Sequence, residues 1–274
     1  MFNTTPKPLL MGILNITPNS FSDGGLFISL DNAVTQAKQM HTDGADILDI
    51  GGEATNPGAE PVSAEAQIER VVPVIIAIRQ QLGAELLISI DTTLHAVAAA
   101  ALDAGANIIN DISAGLHDPH MFALAAKRDV PIILMHMQGT PKTMQENPFY
   151  EDVVAEVLDF LQKRVAAALQ SGIKAHNIVL DPGIGFGKRK VDNLTLLAHL
   201  QQFTDSGYPV LLGTSRKRFM GAICAVNAPA ELVTATAVTT ALGVMAGVKL
   251  FRVHDVLENR QALEIAWAIK TADE

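Results

Sequence analysis

The stretch LLISIDTTLHAVAAAALDAGANIIND, residues 86–111, contains one complete copy of the pattern that decides the fold. It opens with the apolar run Leu86–Ile90, which has the length and the Leu/Ile content of a strand buried on both faces. A helical pattern over Leu94–Ala104 follows and ends at Gly105, a residue suited to a left-handed helix C-cap. A second apolar run, Asn107–Ile109, comes next. The stretch therefore predicts a strand, a helix and a second strand parallel to the first.

The same alternation of a short apolar run and a longer helical pattern continues along the whole chain. The predicted strands are Leu9–Leu14, Ala45–Ile50, Leu86–Ile90, Asn107–Ile109, Pro131–Met135, Asn177–Leu180, Pro209–Leu212 and Val248–Val253. The predicted helices are about Asp31–Thr42, Ser63–Leu82, Leu94–Ala104, Pro119–Arg128, Glu151–Gln170, Val191–Phe203, Pro229–Ala246 and Asp255–Ile269. This α/β pattern in 274 residues favours a (β/α)8 TIM barrel, with an open doubly wound sheet as the alternative. Because no linker divides the sequence, we expect one domain over residues 1–274.

The composition indicates a globular protein with a thick core. Apolar residues make up 49% of the chain and charged residues only 18%, which excludes a disordered protein. The net charge of −9 argues against a nucleic-acid-binding surface, which needs a basic face. It does not exclude a small anionic substrate, because a few local cations can dominate one pocket.

Cysteine content and the N-terminal segment predict a cytoplasmic protein. The single cysteine, Cys224, cannot form an internal disulfide, and residues 1–8 lack the apolar core of a signal peptide. The uncharged stretch Leu232–Val248 is shorter than the ~20 residues of a membrane span and carries several threonines. We therefore expect no membrane segment there, but a helix that is buried on most faces or lies at a subunit contact.

Every predicted strand is followed by a polar or ionisable side chain. In a (β/α)8 barrel the C-terminal ends of the strands meet at one rim, where the chemistry of such folds takes place. The residues are Asn15, Glu53, Asp91, Asn110 with Asp111, His136, Asp181, the run Ser215-Arg216-Lys217, and Arg252 with His254. A single residue of this kind is often a turn former, but a complete set with both signs of charge predicts an active site.

The rim residues divide by chemistry into two groups. The acceptor-rich group is Asp91, Asn110 and Asp181. The donor-rich group is Lys217, Arg252, His254 and Asn15. The first group suits a flat heterocycle with several N–H donors, and the second suits a phosphate or diphosphate. The long loops over residues 15–25 and 53–59 are predicted lids over this rim.

The remaining motifs give weaker indications. Gly183–Gly187 is interpreted as a loop of close approach in which Phe186 is free to cover a ring, because it lacks the features of a P-loop. The histidines are scattered, with no pair at metal-ligand spacing, so we expect no metal cage. Mg2+ needs only one side-chain oxygen beside substrate phosphates, and Asn15 is the best candidate. Residues 188–190 are interpreted as a solvated turn and His136 as a packed, hydrogen-bonded histidine.

At these positions the sequence resembles the dihydropteroate synthase family, the folate-pathway enzymes targeted by sulfonamides. The similar blocks run from the first predicted strand to the last. They are MGILNITPNSFSDGG (11–25), DIGGE (49–53), NDI (110–112), LMHMQGTP (134–141), LDPGIGFGK (180–188), SRK (215–217) and RVHD (252–255).

The resemblance implies a transferase reaction. Enzymes of this family join 6-hydroxymethyl-7,8-dihydropterin diphosphate to 4-aminobenzoate and release diphosphate and 7,8-dihydropteroate. The implied pterin-binding residues are Asp91, Asn110, Met135, Asp181, Gly213 and Lys217, of which Asp91, Asp181 and Lys217 are the implied catalytic residues. The implied diphosphate-binding residues are Asn15, Thr55, Arg252 and His254, with Mg2+ as cofactor at Asn15. The implied aminobenzoate-binding residues are Phe21, Thr55, Pro57, Phe186, Ser215 and Arg216, and a homodimer through the late helices is also implied.

One loop residue departs from the family pattern and leaves other functions open. The family usually has Thr-Arg-Pro-Gly in the second loop, where this chain has Thr55-Asn56-Pro57-Gly58 and so lacks a cation. A protein that binds the pterin without turnover is therefore an alternative. Methyl transfer from a folate to a corrinoid and a Schiff-base lyase using Lys217 are further alternatives, although no loop block resembles the former.

Overall fold

The computed structural model describes residues 2, 6–16, 25–56 and 58–272, with the side chains of residues 25–29 excepted. The predicted site residues Phe21 and Pro57, and most of the predicted lid over residues 15–25, lie outside the described residues.

Eight parallel strands form one sheet that curves into a barrel, as predicted. The strands are β1 (Leu9–Asn15), β2 (Ile47–Gly51), β3 (Leu87–Asp91), β4 (Ile108–Asp111), β5 (Ile132–Met135), β6 (Ile178–Asp181), β7 (Leu211–Leu212) and β8 (Leu250–Val253). Their order is β6-β5-β4-β3-β2-β1-β8-β7, and a single parallel bridge between Leu180 and Val210 joins the two ends of the sheet. β7 is shorter than predicted: Pro209 has no N–H to donate to a neighbouring strand, and Val210 forms only an isolated bridge to Leu180.

Helices surround the barrel and follow the strands. In the described residues they are α1 (Gly25–Thr42), α2 (Ala64–Leu82), α3 (His95–Asp103), α4 (Met121–Arg128), α5 (Val153–Gln170), α6 (Lys190–Ala198), α7 (Leu200–Thr204), α8 (Arg218–Cys224), α9 (Val233–Met245) and α10 (Val256–Lys270). The helix predicted over Val191–Phe203 is interrupted at His199, whose backbone leaves the helical region. The helix predicted from Pro229 starts at Val233, after a 3-10 turn, and α8 was not predicted.

The barrel interior explains why polar residues collect at one end. Ile47 belongs to a buried inner cluster, while the next residue, Leu48, packs outward against the helices. The inner cluster, which we call the barrel floor, consists of Phe2, Met11, Ile47, Ile108, Ile133, Val179, Leu211 and Leu250. Because side chains alternate along a strand, residues two positions further on also face inward. Those residues are Ile13, Asp49, Asn110, Met135, Asp181, Gly213 and Arg252.

Local sequence signals fix the helix ends that frame the rim. Ser63 caps α2 by accepting a hydrogen bond from the Ala66 N–H at 3.3 Å. Asp152 caps α5 in the same way, with the N–H groups of Val154 and Ala155 each 3.1 Å from its Oδ1. Such caps satisfy donors that a helix N-terminus otherwise leaves without partners. No helix in the described residues is both long and apolar enough to cross a membrane.

Candidate active site

A cavity of about 760 Å³ opens at the C-terminal ends of the strands. It brings together most of the predicted site residues that the structure describes. They are Asn15, Thr55, Asn110, Met135, Asp181, Phe186, Gly213, Ser215, Arg216, Lys217, Arg252 and His254. Asn56 lines the same cavity, and a smaller cavity of about 410 Å³ adjoins it at Thr55 and Met135.

Asp91 reaches the site through Arg252 and does not line the cavity wall. The Nη2 of Arg252 donates to Oδ2 of Asp91 at 2.6 Å, and its Nε donates to Oδ2 of Asp49 at 2.6 Å. The Nδ2 of Asn110 lies 3.2 Å from the same Asp49 oxygen. The predicted acceptor and donor groups are therefore in direct contact. Asp49 was not among the predicted site residues, although a carboxylate inside an apolar strand was a signal that could have identified it.

Burial and the neighbouring charges shift the pKa values of Asp91 and Arg252. Loss of hydration raises the pKa of Asp91 above its ordinary range, since burial outweighs the attraction of Arg252, and the nearby carboxylates raise it further. Burial alone would lower the pKa of Arg252, but Asp49 and Asp91 together hold it above its usual range. The guanidinium therefore remains cationic between two acidic side chains, Asp49 and Asp91.

Asp181, Lys217 and Phe186 form a second part of the cavity wall. The Oδ1 of Asp181 accepts a hydrogen bond from the Gly183 N–H at 2.7 Å. Burial raises the pKa of Asp181 to about 6, against that hydrogen bond and the pull of Lys217. The Nζ of Lys217 lies 4.0 Å from the centre of the Phe186 ring. Burial and then Arg252 lower the pKa of Lys217 to about 8.

The glycine-rich loop passes so close to its neighbours that side chains are excluded. Gly183 has φ +68°, and a Cβ on it would lie 1.8 Å from the carbonyl oxygen of His136. The Nζ of Lys188 donates to the carbonyls of Gly183 and Phe186 at 2.8 and 3.0 Å, and it lies 2.9 Å from Nδ1 of His136. These contacts hold Phe186 where it meets Lys217.

The structure contradicts the predicted solvated turn at residues 188–190 and confirms that His136 is a packed histidine. Residues 188–190 do not form a solvated turn throughout, because Lys188 is only 3% exposed. A single sequence gives no signal for this, since a lysine between charged residues has the pattern of a solvated segment. His136 is packed as predicted, edge-on to the Phe160 ring at 4.8 Å, and burial lowers its pKa to about 3.

Ser215, Arg216 and His254 form the third wall. The Ser215 hydroxyl oxygen accepts from the His254 backbone N–H at 3.0 Å and lies 2.9 Å from its Nδ1. Burial, followed by the nearby Arg252, lowers the pKa of His254 to about 4, so this ring is neutral at pH 7. Arg216 pairs with Asp255 through two hydrogen bonds of 3.0 and 2.5 Å, which fix its guanidinium at the cavity edge.

Asn15 lines the cavity with an amide side chain, whose oxygen is a ligand type that Mg2+ accepts. In the sheet register, Asn15 is opposite Gly51 and Gly51 is opposite Asp91. The Asn15 amide oxygen and the Asp91 carboxylate flank Gly51, each within 4 Å of the place that a Cβ on Gly51 would take. Mg2+ prefers oxygen ligands and keeps several waters, so one amide oxygen together with substrate phosphates suffices.

A second group of metal-ligating side chains lies elsewhere. The histidine spacing in the sequence predicted no metal cage, but the fold brings two histidines and an aspartate together. One ligand atom from each of His95, Asp118 and His120 lies within 4.8 Å of the others. None of the three lines either cavity described above.

Comparison with known proteins gives consistent matches over most of the chain. The family described as "Pterin binding enzyme" matches residues 11–254. Dihydropteroate synthase from Synechocystis sp. is 45% identical over 269 residues, which cover 98% of this chain and 92% of that protein. Xanthomonas albilineans dihydropteroate synthase, solved with 4-aminobenzoic acid, has a TM-score of 0.90 and 42% identity, covering 97% of this chain and 94% of that one. The same enzyme in complex with 7,8-dihydropteroate has a TM-score of 0.86 and 40% identity over the same shares.

The matched region contains every strand from Met11 onward and all of the described cavity-lining residues. The barrel, the polar rim and the sequence matches thus agree, and the chain belongs to the pterin-binding enzyme family.

Proposed function

We propose that this chain condenses 6-hydroxymethyl-7,8-dihydropterin diphosphate with 4-aminobenzoate, giving 7,8-dihydropteroate and diphosphate. The observation that carries the proposal is a single cavity where Asp181 and Asn110 face Lys217 and Arg252 at the ends of the barrel strands. Such a cavity offers acceptors to a pterin ring and cations to a diphosphate. Relatives at 40–45% identity carry this activity in their names or hold the aminobenzoate or the product.

The pterin would bind deep in the cavity. Asp181 and Asn110 supply acceptors for its ring N–H groups, and Lys217 supplies a donor for a ring acceptor. Met135 offers an apolar surface to the flat ring, and Gly213, which has no side chain, leaves space for it. Asp91 acts indirectly, because its carboxyl group accepts a hydrogen bond from Arg252 at 2.6 Å and so positions the guanidinium.

The diphosphate would bind at the mouth. Arg252 supplies charge, while the neutral ring of His254, with Asn15 and Thr55, supplies hydrogen bonds. A Mg2+ ion bound at Asn15 would neutralise charge on the leaving diphosphate.

The bond to be broken joins a ring-attached methylene carbon to the diphosphate oxygen. Its electron pair leaves with the diphosphate, and the positive charge spreads from the methylene into the pterin ring. Asp181 stabilises that charge as it develops, because its carboxylate is held in place by Gly183. The aryl amine, neutral at pH 7, then attacks the carbon, and the proton that its nitrogen loses passes to water. Positioning of the amine matters more than a strong base, so no Ser-His or Cys-His pair is required.

The aminobenzoate would bind at the edge of the cavity. Ser215 and Arg216 frame this end and Phe186 covers it, and Phe21 and Pro57, which lie outside the described residues, are further candidate walls. Because Lys188 fixes the carbonyl of Phe186, the aromatic wall is positioned before the substrate binds.

The proposal is tested by mixing the purified protein with both substrates, with and without Mg2+. We expect diphosphate and dihydropteroate in equal amounts, and no sustained release of diphosphate when 4-aminobenzoate is omitted. Tight binding of the pterin diphosphate with no product would instead establish a binding protein, the alternative favoured by Asn56.

Replacing Asn56 by Arg tests the loop position directly. The new cation would stand at the cavity wall, so we expect the pterin diphosphate to bind about 2- to 5-fold more tightly, the worth of roughly one exposed ion pair. Calorimetric titration measures this, with Asn56→Gln as the neutral control. If Asn56→Arg leaves the affinity unchanged, another cation already makes this contact with the diphosphate.

The pH profile should report Lys217. Because its pKa is lowered to about 8, we expect kcat/KM for the pterin diphosphate to fall as pH rises through about 8. Arginine does not deprotonate in this range, so Lys217→Arg should remove that fall, whatever its effect on the maximal rate. An alkaline limb that persists in Lys217→Arg would assign the titration to another group.

The proposal extends to assembly and location. We propose that residues 1–274 act as one pterin-binding domain, since the cavity draws on residues from Ile13 to His254.

We also propose a homodimer through α9 and α10, which pack together and expose Leu242 and Ile265 by 62% and 65%. Sedimentation should give a dimer that Leu242→Glu dissociates. The exposed free thiol of Cys224 supports a cytoplasmic location, where thiols stay reduced.

A further inference from the structure

Three residues on neighbouring segments form a compact cluster outside the catalytic cavity. His95 is the first residue of α3, four positions beyond Asp91 at the end of β3. Asp118 and His120 belong to the segment between β4 and α4. The two segments meet at the Asp118 carboxylate, so the cluster joins parts of the chain that are 23 residues apart.

The carboxylate is held rigidly between the two histidines. Its Oδ2 accepts from the His95 backbone N–H at 2.9 Å and lies 2.7 Å from Nδ1 of that ring. Its Oδ1 accepts from the His120 backbone N–H at 3.0 Å and lies 3.3 Å from that ring's Nδ1. Burial by itself would raise the pKa of Asp118, but these N–H groups together hold it well below its usual range. The anion is thus fixed in place.

The two imidazoles stand side by side around this anion. Their ring centres are 5.0 Å apart, and one ligand atom from each of the three residues lies within 4.8 Å of the others. The His120 side chain is 72% exposed and that of His95 43%, so an ion has direct access from solvent. Small side-chain rotations bring such atoms to the separations found around one metal ion.

We propose that His95, Asp118 and His120 bind a divalent transition-metal ion of the Zn2+ type. Two imidazoles and one carboxylate, with water in the remaining position, are a ligand set typical of Zn2+. Mg2+ and Ca2+ prefer oxygen ligands and are not matched by this set. The site differs from the Mg2+ position at Asn15 in its residues, in its chemistry and in its place outside both cavities.

The bound ion would tie the start of α3 to the segment before α4. These elements follow β3 and β4, which carry Asp91 and Asn110 to the rim. The cluster touches neither substrate, so its effect is on stability. The ion binds the folded arrangement and not the separated histidines of the unfolded chain, so its binding free energy adds to that of folding.

The test uses the whole purified protein freed of metal with a chelator. Equilibrium dialysis against Zn2+ should retain one ion per chain, and Tm should rise by about 4 °C at saturating Zn2+ but not with Mg2+. The double variant His95→Gln/His120→Gln should lose both effects. The matched control His176→Gln/His199→Gln removes two surface histidines outside the cluster and should keep them.

Two more measurements distinguish Zn2+ bound at this cluster from Zn2+ bound elsewhere on the chain. Turnover without Zn2+ should be unchanged in the double variant, which shows that it is folded. The visible spectrum of bound Co2+ should indicate nitrogen and oxygen ligands, and a thiolate band would place the ion at Cys224. No retained Zn2+, a thiolate band, or equal retention by both double variants would overturn the proposal.

Discussion

Replacing Asp181 by Asn is expected to lower kcat by about 10²- to 10³-fold while the protein stays folded. The Asn Oδ1 can still accept the Gly183 N–H that Asp181 accepts at 2.7 Å, so the loop geometry is preserved. The negative charge that faces the developing pterin cation is lost, and one such electrostatic contact contributes ~3–4 kcal/mol to transition-state stabilisation. Single-turnover kinetics measures the chemical step directly.

The comparison of rate with binding makes this prediction specific. We expect the affinity for the pterin diphosphate to change much less than kcat, because the charge matters most as the carbon–oxygen bond breaks. Asp205→Asn, at an exposed carboxylate outside the cavity, should leave both quantities unchanged. Equal losses in affinity and in kcat/KM, with kcat preserved, would reduce Asp181 to a binding residue.

Replacing Arg252 by Gln is expected to weaken both the site and the fold. The variant leaves Asp49 and Asp91 buried without their cation, and breaking a buried pair in this way costs about 3–5 kcal/mol. Diphosphate binding should also weaken, since Arg252 is one of the cations that line the cavity. Urea unfolding and titration with inorganic diphosphate measure the two effects separately.

The stability loss in this variant should depend on pH with a definite sign. Without Arg252, burial keeps the pKa of Asp91 above its value in the unfolded chain, so the folded state binds more protons. Stability should therefore fall as the pH rises from about 5 to 8. Arg128→Gln, which breaks an exposed pair with Asp103, should cost under about 1 kcal/mol with little pH dependence. An Arg252→Gln variant as stable as wild type at pH 8 would contradict the account.

The barrel and the composition of its rim could be predicted from the sequence. Apolar strands of fixed length alternate with helical patterns, and the residues after each strand necessarily meet at one edge of a parallel barrel. That rule placed Asn110, Asp181, Lys217 and Arg252 around one cavity without knowledge of their contacts. The resemblance to a known family supplied the roles, which the residues alone left open.

The charge state and the contacts at this rim could not be predicted in the same way. Arg252 joins Asp49 and Asp91 from 203 and 161 residues away, and burial raises the pKa of Asp91. Lys188 has the sequence surroundings of a solvated residue, but the loop that folds around it supplies carbonyl acceptors.

By itself, the amino-acid sequence determined the order of strands and helices and which side chains the strands deliver to the rim. The element order and the rim side chains both depend on the local spacing of apolar residues, and this spacing does not depend on where a strand or helix lies in the fold. Only the tertiary structure decided that Arg252 lies between two carboxylates, that Lys188 is buried, and that His95 and His120 share Asp118. Those outcomes depend on distances between segments that are remote in sequence, and they exist only once the barrel has formed.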